Sequence, residues 1–383
     1  MFNSIIYKLK IINLIFFTII VCIFFSCKKT PETPSVNQVT NEFYLGADLS
    51  YVNEMEDCGA YYKNSQNEEL DVFKIFKDHG ANLVRVRLWH NPTWTNYSNL
   101  EDVKKTIQRA KNYNLQVLLD FHYSDTWADP NQQEIPLAWE SYLSDDTALS
   151  NILYQYTFTT LQILDSLQLL PEIVQIGNEI NPMILQKGNL VWPINWTRNA
   201  LLLNKGIEAV RNYCQTSTKN IEIMLHIAQP ENGLWWYNDA TNNGVVDFDW
   251  IGLSYYPQWS QYDFSNLEEV LYDLRTQYNK KLMIVETAYP YTLNNYDSAN
   301  NILGSQSLLA NYNATQQGQL DYLLRLKEII SNSGGSGLVY WEPAWVSTNC
   351  NTLWGNGSHW ENATLFDQNY VATKGMEFYN NSK

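Results

Sequence analysis

A single (β/α)8 TIM barrel is the fold that the sequence predicts, and three observations lead to it. Eight short apolar runs recur from Phe43 onward, each is followed by a stretch of helical periodicity, and no linker-like break interrupts the alternation. Near-continuous apolar strands belong to parallel sheets covered by helices. A doubly wound sheet has the same alternation but wants a Gly-rich phosphate turn after an early strand, and this chain has none.

The first run, Phe43–Leu49, leads to a helical pattern over Glu68–Asp78, where Lys77 and His79 mark the last turn and Gly80 the stop. The second, Asn82–Trp89, leads to Leu100–Asn114, with Asn99 as cap and Glu101 and Asp102 in the first turn. Leu115–His122 precedes Thr147–Leu167, and Ile173–Glu179 precedes Asn199–Tyr213. Ile221–Ile227 is followed by the weakest pattern, Leu234–Asn238, short enough to be a loop. Trp250–Tyr256 pairs with Leu267–Tyr278, Leu282–Glu286 with Gln316–Ser331, and Gly337–Trp341 with a last helix over Lys374–Asn380.

Ahead of the barrel the chain reads as a targeting segment. Lys8 and Lys10 precede the apolar run Ile11–Phe25, whose 15 residues fall short of the about 20 that a membrane-spanning helix needs. The run ends Phe24-Phe25-Ser26-Cys27, which resembles a bacterial lipobox with Cys27 as the lipidated first residue of the mature chain. Residues 1–26 are therefore expected to be a lipoprotein signal peptide, 27–41 a flexible tether with Pro31 and Pro34, and 42–383 the barrel domain. Export follows, with the outer membrane as the anchoring surface and its face left open. Cys58, Cys214 and Cys350 remain; export permits one disulfide, but the spacing selects no pair and offers no zinc cluster.

Composition narrows the function. With 25 Lys+Arg against 40 Asp+Glu in 383 residues, the formal charge of −15 repels polyphosphates, which excludes nucleic acid as a partner. A 45% apolar and 17% charged chain folds around a large core. Its 14 Trp and 26 Tyr exceed what a core needs and suit surfaces that stack on sugars. A monomer is expected.

Barrel chemistry sits at the C-terminal ends of the strands. The fourth run ends in Asn178-Glu179 and the seventh in Glu286, and a carboxylate closing an apolar strand needs a polar cleft to offset its desolvation. Two carboxylates across one mouth are the machinery of glycoside hydrolysis. Arg85 and Arg87, at i and i+2 on one face of the second run, are placed to keep a nucleophilic carboxylate ionised. His122, Tyr256 and Trp341 close the third, sixth and eighth runs at the same mouth.

Several strings carry a family resemblance: Gly46-Ala47-Asp48-Leu49-Ser50, the stretch Gly80 to Pro92, Asp120-Phe121-His122-Tyr123-Ser124-Asp125-Thr126-Trp127-Ala128-Asp129-Pro130, Gly177-Asn178-Glu179, Glu286-Thr287-Ala288-Tyr289-Pro290 and Tyr340-Trp341-Glu342-Pro343-Ala344-Trp345. From about Phe43 to the C-terminus the chain resembles glycoside hydrolase family 53, of the retaining clan A. That resemblance implies endo-β-1,4-galactanase activity on type I (arabino)galactan, with Glu179 as acid/base and Glu286 as nucleophile. It further implies that Asn178 holds the sugar 2-OH, that Arg85 (Arg87 as second choice), His122 and Tyr256 support Glu286, and that Asp125, Trp127 and Trp341 serve the substrate site. No cofactor is required. Some bacterial members carry a Ca2+ site after strand seven; here that loop, 292–313, has Asp297 as its only acid, with Asn300 the other candidate ligand, so a weakened or absent site is expected. The rivals are a non-catalytic glycan-binding lipoprotein, which would need neither Glu, and another clan A endo-glycanase such as a mannanase or cellulase.

Overall fold

Parallel strands paired in the order β1 to β8, with β8 returning to β1, close a barrel. The structure is a computed structural model that describes residues 43–352 and 355–380. The signal peptide, Cys27 and the tether lie outside the described residues. The strands are β1 Tyr44–Asp48, β2 Leu83–Leu88, β3 Gln116–Phe121, β4 Ile173–Ile176, β5 Glu222–Ala228, β6 Trp250–Ser254, β7 Lys281–Thr287 and β8 Gly337–Tyr340. Each falls within or against one of the eight apolar runs. The helices are α1 Val52–Asp57, α2 Val72–His79, α3 Leu100–Asn112, α4 Asp146–Ser166, α5 Trp196–Ser217, α6 Pro230–Asn242, α7 Leu267–Tyr278 and α8 Gln316–Asn332.

Local chemistry sets their ends. The Asn99 side chain accepts the Asp102 N–H at the start of α3, and Gly80 closes α2 in a left-handed conformation (φ 109°). α2 begins at Val72 rather than Glu68 because Asp71 caps it by accepting the Phe73 N–H. α6 is a full helix, longer than the weak pattern at Leu234–Asn238, and opens on Pro230 in its first turn. The expected last helix is instead a 3-10 segment, Lys374–Tyr379.

The barrel interior is zoned. Leu83, Leu118, Ile173, Met224, Trp250, Met283 and Val339 fill its lower part with apolar side chains. Two residues further along the strands, the inward positions become Arg85, Asp120, Gln175 and His226, so period-two geometry carries polar groups to the mouth. A disulfide joins Cys58, at the end of α1, to Cys350 beyond β8, and Cys214 is a half-buried free thiol. Among the described residues no helix is long and apolar enough to cross a membrane.

Candidate active site

Glu286 reaches the barrel interior through an irregularity. Leu253 pairs with Ile284 but Ser254 with Glu286, and on the other side Ile284 pairs with Leu338 but Thr287 with Tyr340. β7 therefore carries one more residue than either neighbour, a bulge at Val285 and Glu286. Strict alternation would send Glu286 outward, between Val285 within the barrel interior and Thr287. The bulge turns it in, where Arg85 Nη1 stands 2.7 Å from Oε1 and the Tyr256 hydroxyl donates to Oε2 at 3.4 Å.

Arg85 is only 1% exposed and is the hub of the mouth. It also donates to Asp48 (2.8 Å), Asp120 (2.8 Å) and Asn178 Oδ1 (2.7 Å). One cation faces three carboxylates, so the cluster keeps an excess of negative charge that water cannot screen. Burial pushes the Glu286 carboxyl up to about 7; Arg85 pulls it down, while Asp48 and Asp120 push it up. Arg85 alone thus does not hold Glu286 in the ordinary carboxylate range, as the sequence suggested.

Glu179 lies beyond the end of β4, on a bend in which Gly177 (φ 81°) and Glu179 itself (φ 44°) are left-handed. A Cβ at Gly177 would meet Ile180 Cγ2 at 2.5 Å, so the turn needs glycine. The Ser254 hydroxyl donates to Glu179 Oε1 at 2.6 Å, and His226 Nε2 lies 2.9 Å from that hydroxyl. Because Ser254 spends its hydrogen on Glu179, it accepts from His226 Nε2–H, leaving Nδ1 to accept from Gln175 Nε2–H. Burial, with Arg85 and His122 nearby, holds His226 well below the usual range and hence neutral. Burial and the charge of Glu286 raise Glu179 well above its ordinary value, against a single hydroxyl donor. Since Ser254 faces Glu286 across the β6–β7 ladder, one serine brings the two carboxylates together.

The other expected residues divide. Asn178 accepts from Arg85 and Gln175 on Oδ1 and donates to the Ala128 carbonyl, which leaves one Nδ2 hydrogen. His122 Nδ1 accepts from the Trp89 indole and the Ala128 N–H, so its proton is on Nε2, 3.1 Å from Asp120. His122 thereby reaches Glu286 through Asp120 and Arg85 rather than directly. Arg87 turns to Glu342 (2.5 Å), and its guanidinium lies over the rings of Tyr51 and Trp127. Glu342 is fully buried and raised well above its ordinary value by that burial and by Asp48. Asp125 ties loops together, accepting from the backbone N–H groups of Asn91 and Leu137. Trp127 and Trp341 line the mouth with ring centroids 6.0 Å apart.

Sequence reasoning had not singled out Ser254, His226, Gln175 or Trp360. Trp360 packs edge-on against Trp341 at 4.6 Å and lies 6.1 Å from Tyr256. The first three occupy inward positions of apolar runs, a signal that period-two counting could have found.

The Ca2+ candidates do not form a cage. Asp297 accepts from Ala299 N–H, Ser358 N–H and the Ser347 hydroxyl, so the chain's own donors occupy both oxygens, and Asn300 is exposed. Among the described residues no group of three His, Cys, Asp or Glu side chains is arranged to hold a metal.

A parallel barrel that presents two adjacent carboxylates of unequal support within an aromatic mouth has the build of a retaining glycoside hydrolase. The profile of glycosyl hydrolase family 53 matches residues 44–379, and the chain belongs to that family. It is 57% identical over 327 residues to the arabinogalactan endo-β-1,4-galactanase of Cellvibrio japonicus, covering 85% of this chain and 86% of that one. It is 34% identical to the endo-β-1,4-galactanase of Bacillus subtilis, across 81% and 72% of the two chains. Its fold matches the family 53 catalytic domain from Ignisphaera aggregans with a TM-score of 0.80 at 31% identity, over 90% and 97% of the chains.

Proposed function

We propose that this glycoside hydrolase is an arabinogalactan endo-β-1,4-galactanase, cleaving β-1,4-galactan with retention, with Glu286 as nucleophile and Glu179 as acid/base. The unequal support of the two carboxylates carries the assignment of roles. Glu286 has a guanidinium and a phenol to stabilise its charge, whereas Glu179 has one hydroxyl and a carboxylate neighbour. Glu286 ionises first, and its charge keeps the proton on Glu179. The galactan substrate is supported by family membership and by the relatives named above.

Glu286 attacks the anomeric carbon while Glu179 protonates the glycosidic oxygen, so the leaving sugar departs as a neutral alcohol. Ser254 holds Oε1, which leaves Oε2 to carry the proton. Glu179, now a carboxylate, takes a proton from water as that water displaces Glu286 and frees the sugar. The remaining Nδ2 hydrogen of Asn178 is available to the 2-OH, and Trp341 and Trp127 stack on sugar faces. No step uses a metal or cofactor.

The protein works as an exported monomer, held at the outer membrane through lipidated Cys27. The Cys58–Cys350 disulfide supports an oxidising compartment. Assaying galactan, mannan, xylan and cellulose with wild type, Glu179→Gln and Glu286→Ala tests the reading. Galactan alone should be cut at a useful rate, each variant should lose several orders of magnitude, and azide should restore Glu286→Ala with an inverted product. A Glu286→Ala enzyme retaining a tenth of the wild-type rate, or a preference for mannan, defeats it. Cys27→Ala should release active enzyme from the membrane fraction.

A further inference from the structure

We propose that Trp192 and Trp235 form a binding platform for the leaving-group end of the polysaccharide, beyond the sugar that Glu179 protonates. The inference rests on the roles given above to Glu179 and Glu286. Trp192, in the loop between β4 and α5, is 64% exposed, and among the described residues the next most open tryptophan is Trp259 at 47%. Its ring stands edge-to-face with half-buried Trp235 at 5.5 Å and an interplanar angle of 87°, so each indole braces the other in water.

The platform is tied to the acid. Trp235 Nε1 donates to Asn232 Oδ1, and Asn232 donates to the Ala228 carbonyl at the end of β5. Asn181, two residues after Glu179, donates to that same carbonyl and accepts the Ala228 N–H. The helix bearing Trp235 and the bend bearing Glu179 thus share one anchor, the Ala228 carbonyl, and Trp192 joins them through its ring contact with Trp235.

Barrel order says which part of the substrate comes here. Glu179 after β4 and Glu286 on β7 divide the ring of strands into two arcs, β8-β1-β2-β3 and β5-β6. Tyr51, Trp127, Trp341 and Trp345 cluster on the first arc. Trp192, Trp235 and Trp259 belong to the second. Glu179 leans toward that second arc, because Oε1 is held by Ser254 of β6. The oxygen it protonates therefore lies on the β5-β6 side of Glu286, and the sugars attached through that oxygen leave over that rim. The rim is low there, since Gln229 alone connects β5 to α6. A chain of sugars with apolar ring faces is the occupant that an open indole braced by a half-buried one suits on this path.

The test compares Trp192→Ala, Trp192→Phe and Trp235→Ala on two substrates. Long galactan reaches the platform; a nitrophenyl β-1,4-galactotrioside has a leaving group too short to do so. For galactan, kcat/KM should fall about tenfold in each Ala variant, chiefly through KM, and Trp192→Phe should restore most of it. The aryl substrate should be cut at the wild-type rate. Equal losses on both substrates, or none on either, overturn the platform. Failure of the wild type to cut either substrate refutes the galactanase reading instead. In that event retardation of each variant in gels containing galactan still decides the platform, because binding needs no turnover: retardation by Trp192→Ala equal to wild type rejects it.

Discussion

Replacing Glu286 by Gln should stabilise the folded protein at neutral and alkaline pH while abolishing turnover. The folded-state carboxyl is pushed from 4.5 up to about 7 by burial, against the pull of Arg85. An acid whose folded value lies above its unfolded one holds extra protons in the native state between the two. Native stability therefore falls as pH rises from about 4.5 to about 7 and is level above that window. A shift of this size corresponds to about 3 kcal/mol at pH 8, of which under about 1 kcal/mol has developed at pH 5. The amide removes the charge and keeps an oxygen for Arg85, which retains Asp48 and Asp120 as partners. Loss of the Glu286 charge also lets Glu179 ionise more easily, which adds to the gain. Equilibrium urea unfolding of wild type and variant at pH 5 and pH 8 measures the difference. The variant's advantage should grow by about 2–3 kcal/mol between those pH values; an advantage that is the same at both refutes the electrostatic account of the mouth.

Four further outcomes are expected. Arg85→Lys weakens the group that lowers Glu286, so the acidic limb of the kcat/KM profile should move up by about one pH unit; an unmoved limb means that Glu286 does not set it. Cys58→Ser with Cys350→Ser opens a loop of 292 residues, for which chain entropy gives up to about 5 kcal/mol, so Tm should drop by about 10 °C with activity at 25 °C retained. Chelation should leave Tm unchanged, because Asp297 is already satisfied by chain donors; a rise above about 2 °C on adding Ca2+ contradicts this. Trp341→Ala should lower kcat on galactan more than Trp94→Ala, whose indole bonds the Asp125 carbonyl and packs on Trp89.

The strands were legible because a parallel barrel buries them on both faces, so their apolar runs stand out against the amphipathic helices. The polar mouth was legible in part: Arg85 and Arg87 announce one inward face by their spacing, but His226 and Ser254 sit singly in their runs and look like isolated polar residues. α6 was reduced to a stub because Asn232 and Gly233 weaken its propensity, whereas in the fold Pro230 starts it and Trp236 and Tyr237 bury it. The 3-10 form of Lys374–Tyr379 leaves the same apolar spacing as a helical turn and cannot be told from it in a short segment. The partner of Arg87 was hidden for a different reason. Glu342 follows β8 with φ 47°, a backbone state that an ordinary Glu does not announce. Both catalytic candidates also leave the regular ladder, Glu179 by a left-handed bend and Glu286 by the bulge, and neither departure is written in periodicity.

The extra residue in β7 makes the catalytic reach of this barrel a matter of counting. A chain lacking Val285 would have a more regular ladder, with β7 in even step with β6 and β8, and would lose little apolar surface. In the shortened strand Glu286 would follow Ile284 opposite Ser254, and plain alternation would still turn it inward toward Arg85, so the bulge adds Val285 to the barrel interior without changing the side on which the carboxylate falls. Substitutions around the mouth can be graded and reversed one at a time, whereas the length of β7 has no intermediate values. Divergence in this fold can therefore keep an inward carboxylate with either length of β7, bulged or regular, and loses it only when the residue count changes without a matching change in the bulge.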